Sequence, residues 1–149
     1  KKIYMKNIEI ISHKKQTYAI VIRKNNQFKK KGVNFFTNNS DLIQVGFIKH
    51  KKKHLINSHI HIKNRRIINY CTEVLIIKKG KLKVIFYNKK GKRINKQKTL
   101  NPDDVIILFK GGHGFDVLED CKIIEIKQGP YNKKSDKIVF NDEKINSSK

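Results

Sequence analysis

EVLIIKKGKLKVIFYNKKG, residues 73–91, decides the fold. Two short runs, 73–78 and 81–87, are rich in Val, Ile, Leu and Phe. Lys79-Gly80 joins them tightly, and Asn88-Lys-Lys-Gly91 supplies a four-residue hairpin turn after the second. The same unit recurs outward along the chain. Residues 17–23 (TYAIVIR), 42–48 (LIQVGFI), 55–62 (LINSHIHI), 104–109 (DVIILF), 114–118 (GFDVL) and 121–127 (CKIIEIK) read as further strands. Turn residues separate them at intervals of roughly ten, the spacing of an all-β sandwich or barrel. Asn101-Pro102-Asp103-Asp104 is a third turn, with Pro setting the bend before a strand. No long window carries a clear 3.6-residue period, which leaves room only for a short helix near a terminus. Residues 24–40 (KNNQFKKKGVNFFTNNS) read as a long loop or a swapped edge segment, and 141–149 as a frayed tail.

At 149 residues the chain is expected to form one domain over 1–140, long enough to bury a core. The longest apolar run, Val105-Ile-Ile-Leu-Phe109, is far short of the ~18 residues of a membrane-spanning helix. Residues 1–15 are basic but hold no apolar stretch of signal-peptide length, which argues against secretion. Cys71 and Cys121 are too few and too far apart for a disulfide framework or a zinc knuckle. Reduced thiols in a cytoplasmic protein are the expectation.

A net charge of +23 would ordinarily point to nucleic acid. Here Lys (31), Ile (24) and Asn (15) dominate the composition, as AT-rich coding produces. Only Arg23, Arg65, Arg66 and Arg93 are arginines, the residue on which base-edge readout leans. Aromatics do not interleave with the lysine runs as stacking platforms. Edge-protecting, solvated lysines fit the pattern better than a specific nucleic-acid groove.

The chemistry concentrates in two stretches. His59-Ile-His61 sits in a run read as a strand, where residues two apart share a face. Glu73 heads the next strand, and imidazoles beside a carboxylate suit a divalent transition metal. In the second stretch His113 follows the pair Gly111-Gly112, where the backbone can turn sharply. These features resemble the two motifs of the cupin superfamily: His-x-His followed by Glu, six residues and Gly80, then a Pro-Gly-Asp-like turn and a Gly-x-x-His-like segment. Pro102-Asp103-Asp104 and Gly111-Gly112-His113 match the second motif, with Asp103 where the family has Gly. Eleven residues separate His61 from Glu73, where the family has only a few, so an elongated loop is needed there.

The resemblance covers about 45–127. It implies an antiparallel jelly-roll β-barrel with short flanking segments, and a divalent metal (Fe, Mn, Ni or Zn) on His59, His61, His113 and Glu73. Glu73 is either a ligand or an acceptor orienting one imidazole. Arg65 and Arg66 are candidates for gripping an anionic or sugar-derived substrate, as are Lys127 and Gln128 at the end of the last strand. Glu125 and Tyr131 are the candidate acid–base groups, although a simple barrel plug is the favoured reading of Tyr131. The resemblance implies isomerase- or epimerase-like, or dioxygenase-like, chemistry without separating them. A non-catalytic small-molecule-binding barrel is the alternative, and a basic nucleic-acid-binding domain ranks last. A homodimer is expected through the apolar strand at residues 17–23, pairing across a two-fold axis.

Overall fold

The computed structural model describes residues 7–25, 28–132 and 136–140. All regular elements among them are strands: β1 Ile8–His13, β2 Gln16–Ile22, β3 Gly32–Phe35, β4 Gly46–Lys49, β5 Glu73–Tyr87, β6 Arg93–Leu100, β7 Val105–Leu108 and β8 Gly112–Lys127. The all-β expectation holds. The chain divides into two compact units, one of residues 1–26 and 70–149, the other of residues 27–69.

The larger unit is a six-stranded antiparallel sheet curled into a half-barrel, in the order β1-β2-β7-β5-β6 with β8 also on β5. β5 organises the curl. Its first residues, Glu73–Ile76, lie between β7 and β8, whereas Leu82–Tyr87 lie between β6 and β8. The register shifts repeatedly between Ile77 and Leu82, around Gly80 at φ +81°. A Cβ at Gly80 would stand 2.2 Å from the Asp120 carbonyl oxygen, so only glycine fits the bend. The strands read separately at 73–78 and 81–87 are thus one bent strand, and those at 114–118 and 121–127 are another.

The turn from β6 to β7 locks against the same bend. Asp103 N–H donates to the Ile77 carbonyl at 2.7 Å, and Ile77 N–H to the Asp104 carbonyl at 3.1 Å. Asp103 takes φ +67°, a left-handed position that Asp tolerates and that glycine fills without strain. The buried Asp104 carboxylate accepts from Arg23 Nη1, Lys24 N and Asn101 N at 2.8–3.0 Å. The Pro-Asp-Asp turn is therefore a structural clip.

Between β1 and β6 no backbone ladder forms among the described residues, and side chains bridge the gap. Glu9 of β1 meets Lys98 of β6 at 2.5 Å and Arg23 at 2.7 Å, while Arg23 also donates to the Thr99 carbonyl. Ile11 of β1 and Ile94 and Leu100 of β6 share one core with Val21, Leu75, Val84, Phe86 and Ile106. β2 is interior, paired with β1 on one side and β7 on the other. The strand expected to pair across a dimer axis has no free edge, because the unpredicted β1 occupies it.

The smaller unit holds the β3–β4 hairpin, beside which Phe28, Phe36 and Phe47 cluster with ring centroids 4.1–5.7 Å apart. Residues 50–69 contain no strand, and 51–69 are exposed throughout. The strand expected over 55–62 is absent. Its apolar residues, Leu55, Ile56, Ile60 and Ile62, find no sheet to complete.

Candidate functional site

β5 and β8 run as one two-stranded ribbon in which Glu73 opposes Lys127 and Phe86 opposes His113. Laid straight, the stretch of β5 from residue 73 to 86 would span roughly 43 Å. The bend at Gly80 folds the ribbon over, and His113 Nε2 stands 3.0 Å from Glu73 Oε2. Both side chains are partly buried. Leu75, Val84 and Phe86 face the core, so their register partners on β8, Glu125, Phe115 and His113, share that inner side. The His113 and Phe115 rings lie 5.2 Å apart.

Gly111 makes this placement of His113 possible. At φ +78°, a Cβ there would stand 2.2 Å from the Tyr18 ring and 2.8 Å from the Tyr87 carbonyl oxygen. The chain can leave β7 and enter β8 against these tyrosines only with glycine at this position.

Around the Glu73–His113 contact lie the other residues expected at the end of β8. Lys127 contacts Glu125 at 3.4 Å, and its ammonium sits 4.7 Å from the centre of the Tyr131 ring. Gln128 Oε1 accepts from Thr72 N–H at 2.7 Å, while its buried Nε2 has no partner among the described residues. The hydrogen bond from His113 holds the Glu73 carboxyl below its ordinary value against the opposing effect of burial, with Lys127 and Lys137 adding to the lowering. Burial, and then the Glu73 charge, push the Cys71 thiol up. Cys71 and Cys121 are both free thiols.

Six predicted site residues thus gather at one end of the half-barrel: Glu73, His113, Glu125, Lys127, Gln128 and Tyr131. The other four, His59, His61, Arg65 and Arg66, belong to the smaller unit, in its exposed strandless segment. His59 and His61 are not held on a strand face. Their rings stand edge to face at 5.1 Å, and His59 Nδ1 lies 3.1 Å from the Asn57 carbonyl oxygen. Among the described residues, no three His, Cys, Asp or Glu side chains gather closely enough to hold a metal ion. Phe115 and Cys71 border the site unpredicted. Phe115 was legible, being two positions beyond His113 on a strand. Two open clefts elsewhere on the larger unit, one at the hairpin tips around Tyr18 and Asn88 and one between β1 and β6, contain none of these six residues.

No protein-family model, curated protein or solved structure shows significant similarity to this chain. What fold and site define is an all-β protein with a curled antiparallel half-barrel and a carboxylate–imidazole pair at one end. Among the described residues no helix is long and apolar enough to cross a membrane; their regular elements are all strands.

Proposed function

We propose that the chain is a cupin-like jelly-roll protein that binds a divalent transition metal and a small anionic or sugar-derived ligand at the end of its half-barrel. The observation supporting this most directly is the meeting of Glu73 and His113, far apart in sequence, at 3.0 Å. Two donors bound at right angles on one ion, each at ~2.1 Å, stand about 3 Å apart, so the pair fits two neighbouring positions of a ligand set. His59 and His61 are the further ligands implied by the resemblance. A bound ion would act as a Lewis acid on a substrate oxygen. Lys127 supplies a cation for an anionic group, the inward Gln128 amide a hydrogen-bond donor, and Glu125 and Tyr131 flank Lys127 as the proton-handling groups. The free thiols fit a reducing compartment such as the cytoplasm.

A second reading has its own support. Glu73 and His113 satisfy each other without a metal, as in a metal-free small-molecule-binding barrel. Metal analysis of untagged protein, with and without chelator, separates the two. The metal reading expects near-stoichiometric metal in the wild type. That metal falls at least about tenfold in His113→Ala, with a comparable loss in Glu73→Gln if the carboxylate is a ligand and a smaller one if it only orients the imidazole. His59→Ala and His61→Ala test the ligands that rest on resemblance alone. A wild type that takes up no Mn, Fe, Ni or Zn would pass the site to the metal-free reading.

A further inference from the structure

Two hairpin tips meet beside Tyr18. The turn Lys14-Lys15 joins β1 to β2, and Asn88-Lys-Lys-Gly91 leads from β5 towards β6. Between them lies a cleft of about 380 Å³ whose lining includes His13, Lys14, Tyr18, Asn88, Lys89 and Lys90. That volume falls within the ~300–1,000 Å³ of small-molecule sites. Its charge is one-sided. No carboxylate lines it, and among the described residues no ion pair engages Lys14, Lys89 or Lys90. Lysines on the sheet, by contrast, have carboxylate partners: Lys78, Lys81, Lys83, Lys98 and Lys127. Lys89 Nζ rests against Tyr70, donating to its hydroxyl at 3.3 Å and standing 5.1 Å from the ring centre. The contact steadies the ammonium and brings it no counter-anion.

Neutral donors accompany the cations. Tyr18 is only 4% exposed, and its ring stands edge-on to His13 at 6.0 Å. Its hydroxyl has no hydrogen-bond partner among the described residues, yet it is not sealed from solvent. A buried tyrosine ordinarily finds a partner for that group. Asn88 Oδ1 accepts from the N–H groups of Lys90 and Lys92 at 2.9 and 3.0 Å, so its amide nitrogen, unpartnered among the described residues, is a second free donor. The β1–β2 turn also favours its lysines at a cost. Lys14 and Lys15 both take left-handed backbone, at φ +47° and +61°, in a two-residue loop that suits asparagine and glycine. AT-rich coding writes asparagine as readily as lysine, so composition alone does not select lysine there. Strain kept beside a cleft points to use.

We propose that this cleft binds the phosphate group of a small phosphorylated molecule. Lys14, Lys89 and Lys90 supply charge, and the Tyr18 hydroxyl and Asn88 amide supply directed hydrogen bonds. Lysines are point charges without the arginine fork, so they suit a tetrahedral dianion better than a planar carboxylate. The volume leaves room beyond the phosphate for a group of sugar size. The cleft shares no residue with the Glu73–His113 end, so the proposal does not depend on the metal reading.

Calorimetric titration of the full chain with ribose 5-phosphate at constant ionic strength tests it, with circular dichroism as the check on folding. The wild type should bind the ester saturably, inorganic phosphate more weakly and ribose not at all. Lys14→Asn and Lys90→Asn should each weaken binding at least about fivefold, and Tyr18→Phe at least about threefold. Lys14→Asn relieves the turn, so it should melt no lower than the wild type, which separates lost affinity from lost folding. Lys79→Ala, which removes an exposed charge outside the cleft, and Lys127→Ala should both bind as the wild type does. A wild type without saturable uptake would overturn the proposal. So would equal weakening by Lys79→Ala and Lys14→Asn, which reduces the effect to net charge, or a Tyr18→Phe variant that binds unchanged. Loss in Lys127→Ala with Lys14→Asn unaffected would move the phosphate to the other site. Uptake of a single-stranded oligonucleotide or of phosphatidic acid vesicles, lost in Lys14→Asn, with no uptake of the ester would assign the lysines to a macromolecular or lipid phosphate and overturn the small-molecule reading.

Discussion

Glu73 and Glu9 are the carboxylates whose surroundings hold them ionised. At Glu73 the largest influence is the hydrogen bond from His113; burial opposes it, and nearby lysines add to it. At Glu9 burial again raises the pKa, and is outweighed by Lys98 and Arg23. In both the folded value lies below the ordinary one. Each therefore contributes stability that is fully present above the unfolded carboxylate pKa of about 4.3 and disappears as pH falls through the folded value. The melting temperature should be flat with respect to these two groups down to about pH 5 and fall below it. Glu73→Gln should flatten part of that acidic limb while leaving the Glu9 part in place. An acidic limb of unchanged steepness in Glu73→Gln would show that the contact with His113 does not stabilise the fold.

Gly80 acts at the scale of the ribbon, because the meeting of Glu73 and His113 requires β5 and β8 to fold over. Alanine there combines a strained backbone at φ +81° with a contact of 2.2 Å to the Asp120 carbonyl oxygen. Gly80→Ala is expected to cost roughly 3–5 kcal/mol, read as a lowered urea midpoint. Alanine at neighbouring exposed Lys79 should cost under about 1 kcal/mol. Equal midpoints for the two variants would mean that the ribbon bends elsewhere. The same residue explains how far the elements were legible. Short apolar runs bounded by glycine gave the strand content of β5, β7 and β8 correctly, but a glycine that turns a hairpin and one that bends a continuous strand look alike in sequence. β6 is not legible in the sequence because Arg93–Leu100 is polar at most positions, offering the core little beyond Ile94 and Leu100. β1 falls outside the expected strands despite its isoleucines, and without it β2 reads as a free edge. Residues 55–62 have strand composition and no neighbour, and sheet propensity without a pairing partner does not make a strand. At the site, β8 register makes its residues readable from one motif, whereas His59-x-His61 had only spacing to recommend it.

Across the molecule, cations outnumber carboxylates by 35 to 12, so every acidic group could be paired and 23 positive charges would still lack a partner. The described ion pairs are mostly surface contacts such as Lys81–Glu119 and Lys83–Asp116, each a weak contributor. Self-repulsion among the surplus cations acts over longer distances, and salt screens it over a Debye length of about 10 Å at 0.1 M. Salt should weaken the pairs and relieve the repulsion at once, and with this imbalance relief should win. The melting temperature at neutral pH should rise between low and physiological sodium chloride. Over the same range, duplex DNA or another polyanion should bind tightly at low salt without sequence preference and be released as salt rises, because scattered lysines offer counterion release and little base readout. A melting temperature that falls with added salt would show that local pairs outweigh the net charge. A sequence-selective complex surviving physiological salt would show that the lysines form a recognition surface, beyond the compositional excess that the isoleucine and asparagine content suggests.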